Sequence, residues 1–565
     1  MTSTVDDIDL AIAELQKGEA VWAALPLAGR CELLDQVRAA TEAHAKEWVD
    51  IAVAIKGLEP GSPLVGEEWV SGPYPVLTGA SALAESLTAL ENGRSPVDGF
   101  KITPAPGGRV AVHVLPHNAF DWLLLNGFDA QVWTKPRVDA DTVRRTAGLA
   151  QRLPWKTGGV GAVLGSGNIF SIAPLDTLYE LYAHNRVVAL KLNPITDPLL
   201  PVFEKVFAPL ISKGFLRILT GGAEVGTALV RHPDVAHVHM TGSSATHDAI
   251  VFGSGKDGDE RKASNRPLLD KPISSELGGV SPTIVLPGTW SAADLRFQAE
   301  HIVTQKLHNN GYNCVASQVA IVSADWPQKE QFLTELRSAF ARAPARKDYY
   351  SGSGARVASA RKAYPSAVAV DASRTLLLGL SPDKNEKAYS EEYFAPVLGV
   401  TELSGDGEDF LRAAVDVANH RFAGTLGVNL IAHPKTLREL GTRLDDAIAE
   451  LRYGTVGVNA WTGVGFLTAR ASWGAFPGHT IDDVQSGSGV VHNALLIDDP
   501  ERTVVRGPFR PAPRSIVTGE LSMSPRPPWF VTNKTAATTG RRLSYFAAKP
   551  RWTSLPGIIA SALRG

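Results

Sequence analysis

The chain has 565 residues, 44% of them hydrophobic and 20% charged. That is ordinary globular composition at a length that exceeds one core, so two to four domains are expected. A formal charge of −2 gives no overall electrostatic reason to expect nucleic acid or an anionic membrane as the main partner.

Two distant cysteines, Cys31 and Cys314, form neither a disulfide framework nor a zinc site, and no metal is expected. The acidic start, Met1 to Leu10, has no secretory h-region, and no apolar run spans a bilayer. The expected location is cytoplasmic.

In chain order, helical spacing covers 8–58, with Leu10, Ile12, Leu15 and then Leu33, Leu34, Val37 on repeating faces. Residues 59–75, rich in Gly and Pro, read as a loop, and a helix follows at 80–91. Residues 108–115 and 130–134 read as strands of a small arm. From Gly158 the rhythm becomes strand, turn, helix: strands at 160–164, 186–192, 215–219 and 235–240, with helices at 173–184, 199–212 and 224–230. Short apolar strands alternating with helices predict a parallel sheet covered on both faces, with ligands at its carboxyl ends.

A second alternating region starts at Pro272, with strands at 281–286, 318–322 and 454–459. Its helices are expected at 291–307, 326–342, 409–419 and, as one long element, 434–452. From Asp499 the chain is dense in Pro and Arg and reads as extended, packed on a surface or mobile.

Cys314 lies in His308-Asn309-Asn310-Gly311-Tyr312-Asn313-Cys314, a polar, glycine-marked loop between a helix and a strand. Free cysteines are commonly buried as small hydrophobes, which is the expectation for Cys31 in its helical pattern. A cysteine in such a loop is instead placed where a substrate can reach it.

Several motifs give this loop its company. Ser275-Glu276-Leu277-Gly278-Gly279-Val280-Ser281-Pro282 resembles the ELGGKSP signature of the aldehyde dehydrogenase superfamily, and Asn309 to Cys314 resembles its NxGQxC nucleophile loop. Met240-Thr241-Gly242-Ser243 is similar to FTGS, Glu391 to Val397 to EEIFGPV, Ala189 to Pro194 to the VLKPSE strand end, and Leu164 to Phe170 to IxPWNFP. Six partial matches in order cover about Val160 to Gly489.

The resemblance implies a fold of two doubly wound α/β domains with a small β oligomerisation arm. Its expected divisions are 1–104 with 138–272 for NAD(P) binding, 273–480 for catalysis, and 105–137 with 481–565 for the arm and a C-terminal extension. It implies an NAD- or NADP-dependent dehydrogenase with an aldehyde substrate, forming a homodimer or homotetramer. Cys314 is the implied nucleophile, whose tetrahedral oxyanion would be held by Asn168 and the Cys314 N–H. Glu276 is the implied base for thioester hydrolysis. Cofactor contacts are implied at Lys191, Gly226, Thr241, Gly242, Ser243, Leu277, Glu392 and Phe394.

The sequence departs from the pattern in places. The KPSE acid, which would bond the adenosine ribose, falls on Pro194, leaving NAD and NADP both open. Tyr312 replaces the family's Gln and Gly167 its Trp. His247 is expected to cap a helix or face solvent, and 253–266 to be a long polar loop. Two other functions stay open: a CoA-acylating relative, opposed by the presence of Glu276, and a catalytically silent binding protein, opposed by the trio Cys314, Asn168 and Glu276.

Overall fold

The computed structural model describes residues 2–565; Met1, the first residue of the acidic start, lies outside them. The N-terminal helical stretch is two helices, Val5–Ala24 and Leu27–Ile55. The break falls at Pro26, which has no N–H to donate. Ile8, Ile12 and Leu15 on the first and Leu33, Leu34 and Val37 on the second are buried. The expected loop at 59–75 contains the helix Val65–Ser71 and the start of Pro73–Glu91. Every residue of Val65–Ser71 is buried, so tertiary packing sets this helix in a stretch whose Gly and Pro suggested none.

The first sheet has six strands in the order Gly487–Ser488, Ile273–Leu277, Val235–Gly242, Val160–Leu164, Val187–Lys191, Leu216–Leu219. All neighbours run parallel except the short first strand. The strands are apolar runs because the sheet is buried between helices, among them Val5–Ala24 and Ile172–His184.

The second sheet has eleven strands. Its parallel centre is Thr455–Val458, Gly427–Ile431, Thr283–Val285, Val319–Ser323, Val397–Leu403 and Thr375–Leu380. Val368–Ala369 closes one edge. At the other, Pro500–Arg506 joins the centre to Asp129–Thr134, Arg109–Leu115 and Ile102–Ala105, which follow antiparallel.

Several expectations change. A division at 272/273 would cut before Ile273–Leu277, yet that strand pairs with Val235–Gly242 in the first sheet, so the crossing between sheets comes after Leu277. The arm strands 105–137 run on from the chain's own large sheet through Pro500–Arg506. The stretch beyond 499 therefore begins with an interior strand, and it ends in the helices Ala536–Ala548 and Leu555–Ala562. The long helix at 434–452 is broken at Gly441, which sits at φ 55°. The polar loop at 253–266 holds the helix Gly255–Ala263. Among the described residues, no helix is long and apolar enough to cross a membrane.

Candidate active site

The helix Ala292–Leu307 ends in a tight turn in which Asn309 and Asn310 take left-handed conformations, φ 53° and 55°. Asparagine tolerates these better than most residues. Gly311 follows at φ 80°, where a Cβ would lie 2.9 Å from the Ala395 backbone, so only glycine fits. Buried groups hold the turn from outside. The Asn309 N–H donates to Glu67 Oε2 at 3.0 Å, and Arg346 clamps the same carboxylate through both terminal nitrogens. Burial opposes ionisation of Glu67, but the Arg346 charge holds it down to about 2. Asn309 Nδ2 donates to the carbonyls of Asn168 and Tyr312, and the Tyr349 hydroxyl donates to Asn309 Oδ1.

This turn brings half-buried Cys314 against Glu276, which the strand Ile273–Leu277 presents fully buried. Neither oxygen of Glu276 makes an ordinary hydrogen bond; the polar groups acting on it are the Cys314 thiol and the Trp473 indole. Burial raises its pKa above the carboxylate norm. Burial also pushes the Cys314 thiol well up, and the negative charges of Glu276 and Glu392 push the same way. The resting pair is a protonated thiol beside a buried carboxyl group.

Asn168 stands in the turn after Val160–Leu164, and its Nδ2 donates to the Tyr312 carbonyl at 2.9 Å. The amide carries two N–H groups, so this bond orients the side chain and leaves one donor over. Tyr312, where the family has Gln, donates its hydroxyl to Asp348 at 2.9 Å and can accept from the Ser353 hydroxyl at 2.8 Å.

On one side of Cys314 and Glu276 opens a cavity of about 630 Å³. Lys191, Gly226, Thr241, Gly242, Ser243, Glu392 and Phe394 all line it, as does Asn168. Leu277 does not: its side chain is buried with Met240 and Val484 beneath the sheet end. Ser243 caps the helix Ser244–Val251, its Oγ accepting from the Thr246 N–H, and so aims that helix's N-terminus at the cavity. Thr241 Oγ1 donates to the buried Asp176 at 3.0 Å.

A Cβ at Gly226 would meet nothing within 4 Å, and one at Gly278 would lie 2.0 Å from Glu392 Oε1. The glycine lets Glu392 fold over the strand end, where burial pushes it up to about 8. Phe394, at φ 41°, packs between the rings of Tyr312 and Tyr350. His247 neither caps nor faces solvent; it is fully buried, with Nδ1 3.4 Å from Asp248.

On the other side a narrow cleft of about 40 Å³ is lined by Val70, Ile169, Trp461, Phe466, Leu467 and Trp473, among others. Cys314 and Glu276 line both spaces. The cleft's imidazole, His308, packs on Trp461 at 4.8 Å. Burial depresses it to about 4 against the pull of Glu67, so it is neutral at neutral pH. Glu276 is then the only carboxyl among the cleft's lining residues.

Sequence reasoning missed Glu67, Arg346, Tyr349 and Lys306. Lys306 is buried within the helix Ala292–Leu307, and burial pushes its ammonium down to about 7 against the attraction of Glu392.

Fold and geometry define a class first: a two-sheet α/β protein with a cysteine–glutamate pair where an elongated polar cavity meets an apolar cleft. A family model described as "Aldehyde dehydrogenase family" matches residues 168–361. The chain is 28% identical over 260 residues to the aminoacetaldehyde dehydrogenase of Pseudomonas aeruginosa, covering 43% of this chain and 47% of that protein. It is 37% identical over 113 residues to the peroxisomal aminoaldehyde dehydrogenase 1 of Pisum sativum, covering 20% and 19%. The chain thus spans less than half the length of these curated relatives.

Among solved structures, the gamma-glutamyl-gamma-aminobutyraldehyde dehydrogenase of Burkholderia cenocepacia J2315 aligns with TM-score 0.59 at 21% identity, over 88% of each chain. An indole-3-acetaldehyde dehydrogenase in complex with NAD+ aligns with TM-score 0.59 at 18% identity, over 89% of each. Residues 168–361 are thus similar to the aldehyde dehydrogenase family, and the fold is like that of solved aldehyde dehydrogenases.

Proposed function

We propose that the protein oxidises an aldehyde to a carboxylic acid with NAD or NADP, through a covalent intermediate on Cys314. The observation that carries this reading is the pairing of Cys314 with a buried carboxylate lacking any ordinary hydrogen bond, at the junction of the two spaces.

The residues present fit a dinucleotide. Ser166 Oγ and Glu392 Oε1 are buried without hydrogen-bond partners and belong to residues lining the cavity. Lys191 stands at a strand end for the adenosine ribose, and the N-terminus of Ser244–Val251 suits a pyrophosphate. Glu392 is placed for the second ribose. When bound, the cofactor supplies a hydride acceptor. NADP is compatible with this cavity: no carboxylate stands at Pro194, and Lys191 and Arg231 line the adenosine end.

In the chemistry, Glu276 takes the thiol proton as Cys314 Sγ adds to the aldehyde carbon. The resulting oxyanion meets the free N–H of Asn168 and the backbone N–H of Cys314, donors whose positions are already set. Loss of hydride from that carbon leaves a thioester. Once Glu276 has passed the thiol proton to solvent, it deprotonates a water that attacks the thioester; the tetrahedral adduct expels Cys314 Sγ, which takes that proton back as the acid leaves. The raised pKa of Glu276 suits it to both transfers near neutral pH.

The relatives named as aminoaldehyde dehydrogenases suggest a cationic substrate. The cleft here favours an uncharged, apolar or aromatic tail, because its walls offer aromatic and aliphatic faces and no carboxylate beyond Glu276 to hold an ammonium. The test is reduced-cofactor production from a panel of apolar, cationic and anionic aldehydes. Fastest turnover of apolar members is expected; no turnover of any member overturns the reading.

A further inference from the structure

We propose that the C-terminal helical pair is a docking surface for an anionic phospholipid bilayer. The whole-chain charge of −2 hides a strong local asymmetry: residues 521–565 carry seven arginines and lysines and no acidic residue. Two of the seven are neutralised in the fold, Arg526 by Glu300 and Lys549 by Glu42. Lys534, Arg541, Arg542, Arg551 and Arg564 are exposed and make no ion pair among the described residues.

The apolar half of the surface comes from the last helix. Leu555–Ala562 docks inward through Leu555 and Ile558, which pack with Phe546 of Ala536–Ala548. Helical periodicity then turns the other face outward, and the residues there are apolar too: Ile559 is 40% and Leu563 64% exposed, with Trp552 just before the helix at 61%. Trp552 packs on Phe120, whose short helix Ala119–Leu124 adds Trp122, 59% exposed. The nearest acid by sequence, Asp121, is turned back to accept from the His117 N–H.

Cations frame this face. Arg542 donates to the Gly557 carbonyl, placing it against the helix, while Arg551 precedes Trp552 and Arg564 follows Leu563. Lys534 lies at the Arg564 end, since neighbouring Thr535 donates to the Ser561 carbonyl. A tryptophan and branched aliphatics ringed by arginines form an interfacial pattern, with apolar tips entering the acyl boundary and cations meeting anionic headgroups. The charge complementarity selects lipid over a second copy of this chain, because two such faces would bring arginines against arginines.

The surface also stands close to the site. Ala536–Ala548 packs on Val65–Ser71, with Ser544 donating to the Trp69 carbonyl, and Val70 and Ser71 line the apolar cleft. If the aldehyde reading above holds, docking sets the cleft beside the phase in which apolar aldehydes dissolve. The docking proposal itself does not depend on that reading.

The test is co-sedimentation of the full chain with vesicles of phosphatidylcholine alone or with about 30 mol % phosphatidylglycerol. Binding to the anionic vesicles, weakened by salt and far lower on pure phosphatidylcholine, is expected. Each headgroup-facing cation is worth about fivefold in binding, so Arg551→Glu with Arg564→Glu should cost on the order of 25-fold or more. Trp552→Ser, Ile559→Ser and Leu563→Ser together should abolish binding. All these positions are exposed, and an unchanged circular dichroism spectrum and melting point verify folding. Wild type left in the supernatant, or a triple variant that binds like wild type, overturns the proposal. So does a wild-type dimer, seen by light scattering, that the triple substitution makes monomeric, which would make the face an interface between copies.

Discussion

Replacing Glu276 with glutamine separates the two halves of the proposed reaction. The substitution keeps the shape of a fully buried side chain and removes its charge. Two consequences follow from the geometry. Water attack on the thioester loses its base, and general-base catalysis contributes about 10²–10⁴-fold, or roughly 2.7–5.5 kcal/mol of barrier at about 1.36 kcal/mol per decade. Meanwhile the charge that helps push the Cys314 thiol up is gone, so the thiolate forms at lower pH than in wild type.

Because the thiolate then forms at lower pH without a base, the first half survives at alkaline pH, and the expected result in rapid mixing there is one equivalent of reduced cofactor per site in a burst, followed by steady turnover slowed by that factor. Iodoacetamide labelling of Cys314 should shift its midpoint to lower pH. Turnover within about threefold of wild type, together with an unmoved labelling curve, would refute the assignment of Glu276 as the base beside the nucleophile.

Further predictions concern the groups around this pair. Asn168→Ala removes an oxyanion donor and should lower kcat by about 10²–10³-fold, read in the same steady-state assay. Arg346→Leu leaves Glu67 buried and unpaired and should cost about 3–5 kcal/mol of stability, read as a lower urea midpoint. In wild type, Glu67 is depressed in the folded state to about 2. Its contribution is therefore full above its unfolded pKa of about 4.3 and lost as pH falls from there toward 2. Unfolding followed across that window should show a steeper slope in wild type than in Glu67→Gln, where other depressed carboxylates such as Asp176 remain. Pro194→Glu places a carboxylate beside Lys191 and should reduce kcat/KM for NADP by about tenfold or more, with NAD little changed, measured with both cofactors.

Four of the first sheet's six strands were legible because they are short apolar runs ended near glycine or asparagine, with helices such as Ile172–His184 showing a 3.6-residue stripe between them. Ile273–Leu277 and Gly487–Ser488, which are largely polar, were not. The helix Gly255–Ala263 was not legible: GKDGDERKA has two glycines and no apolar face, so periodicity is silent. Gly258 is required there because a Cβ would lie 2.1 Å from the Gly253 carbonyl oxygen, a tertiary fact. The strand Pro500–Arg506 was hidden by the prolines that follow it.

In the site, the motif residues were readable because they cluster locally around turns. Glu67 and Asn309 are 242 positions apart, and nothing in VGEEW marks its first carboxylate as the anchor of the nucleophile turn. The surface of the last helix was equally silent in sequence, since Leu555–Ala562 is apolar on both faces and only the packing shows which face is left outside.

The most direct test of the central claim is formation of reduced NAD or NADP from apolar aldehydes by wild type and Cys314→Ala, each with and without CoA. The account predicts CoA-independent turnover by wild type and none by the variant. Turnover that requires CoA, or that survives loss of the Cys314 thiol, would contradict it.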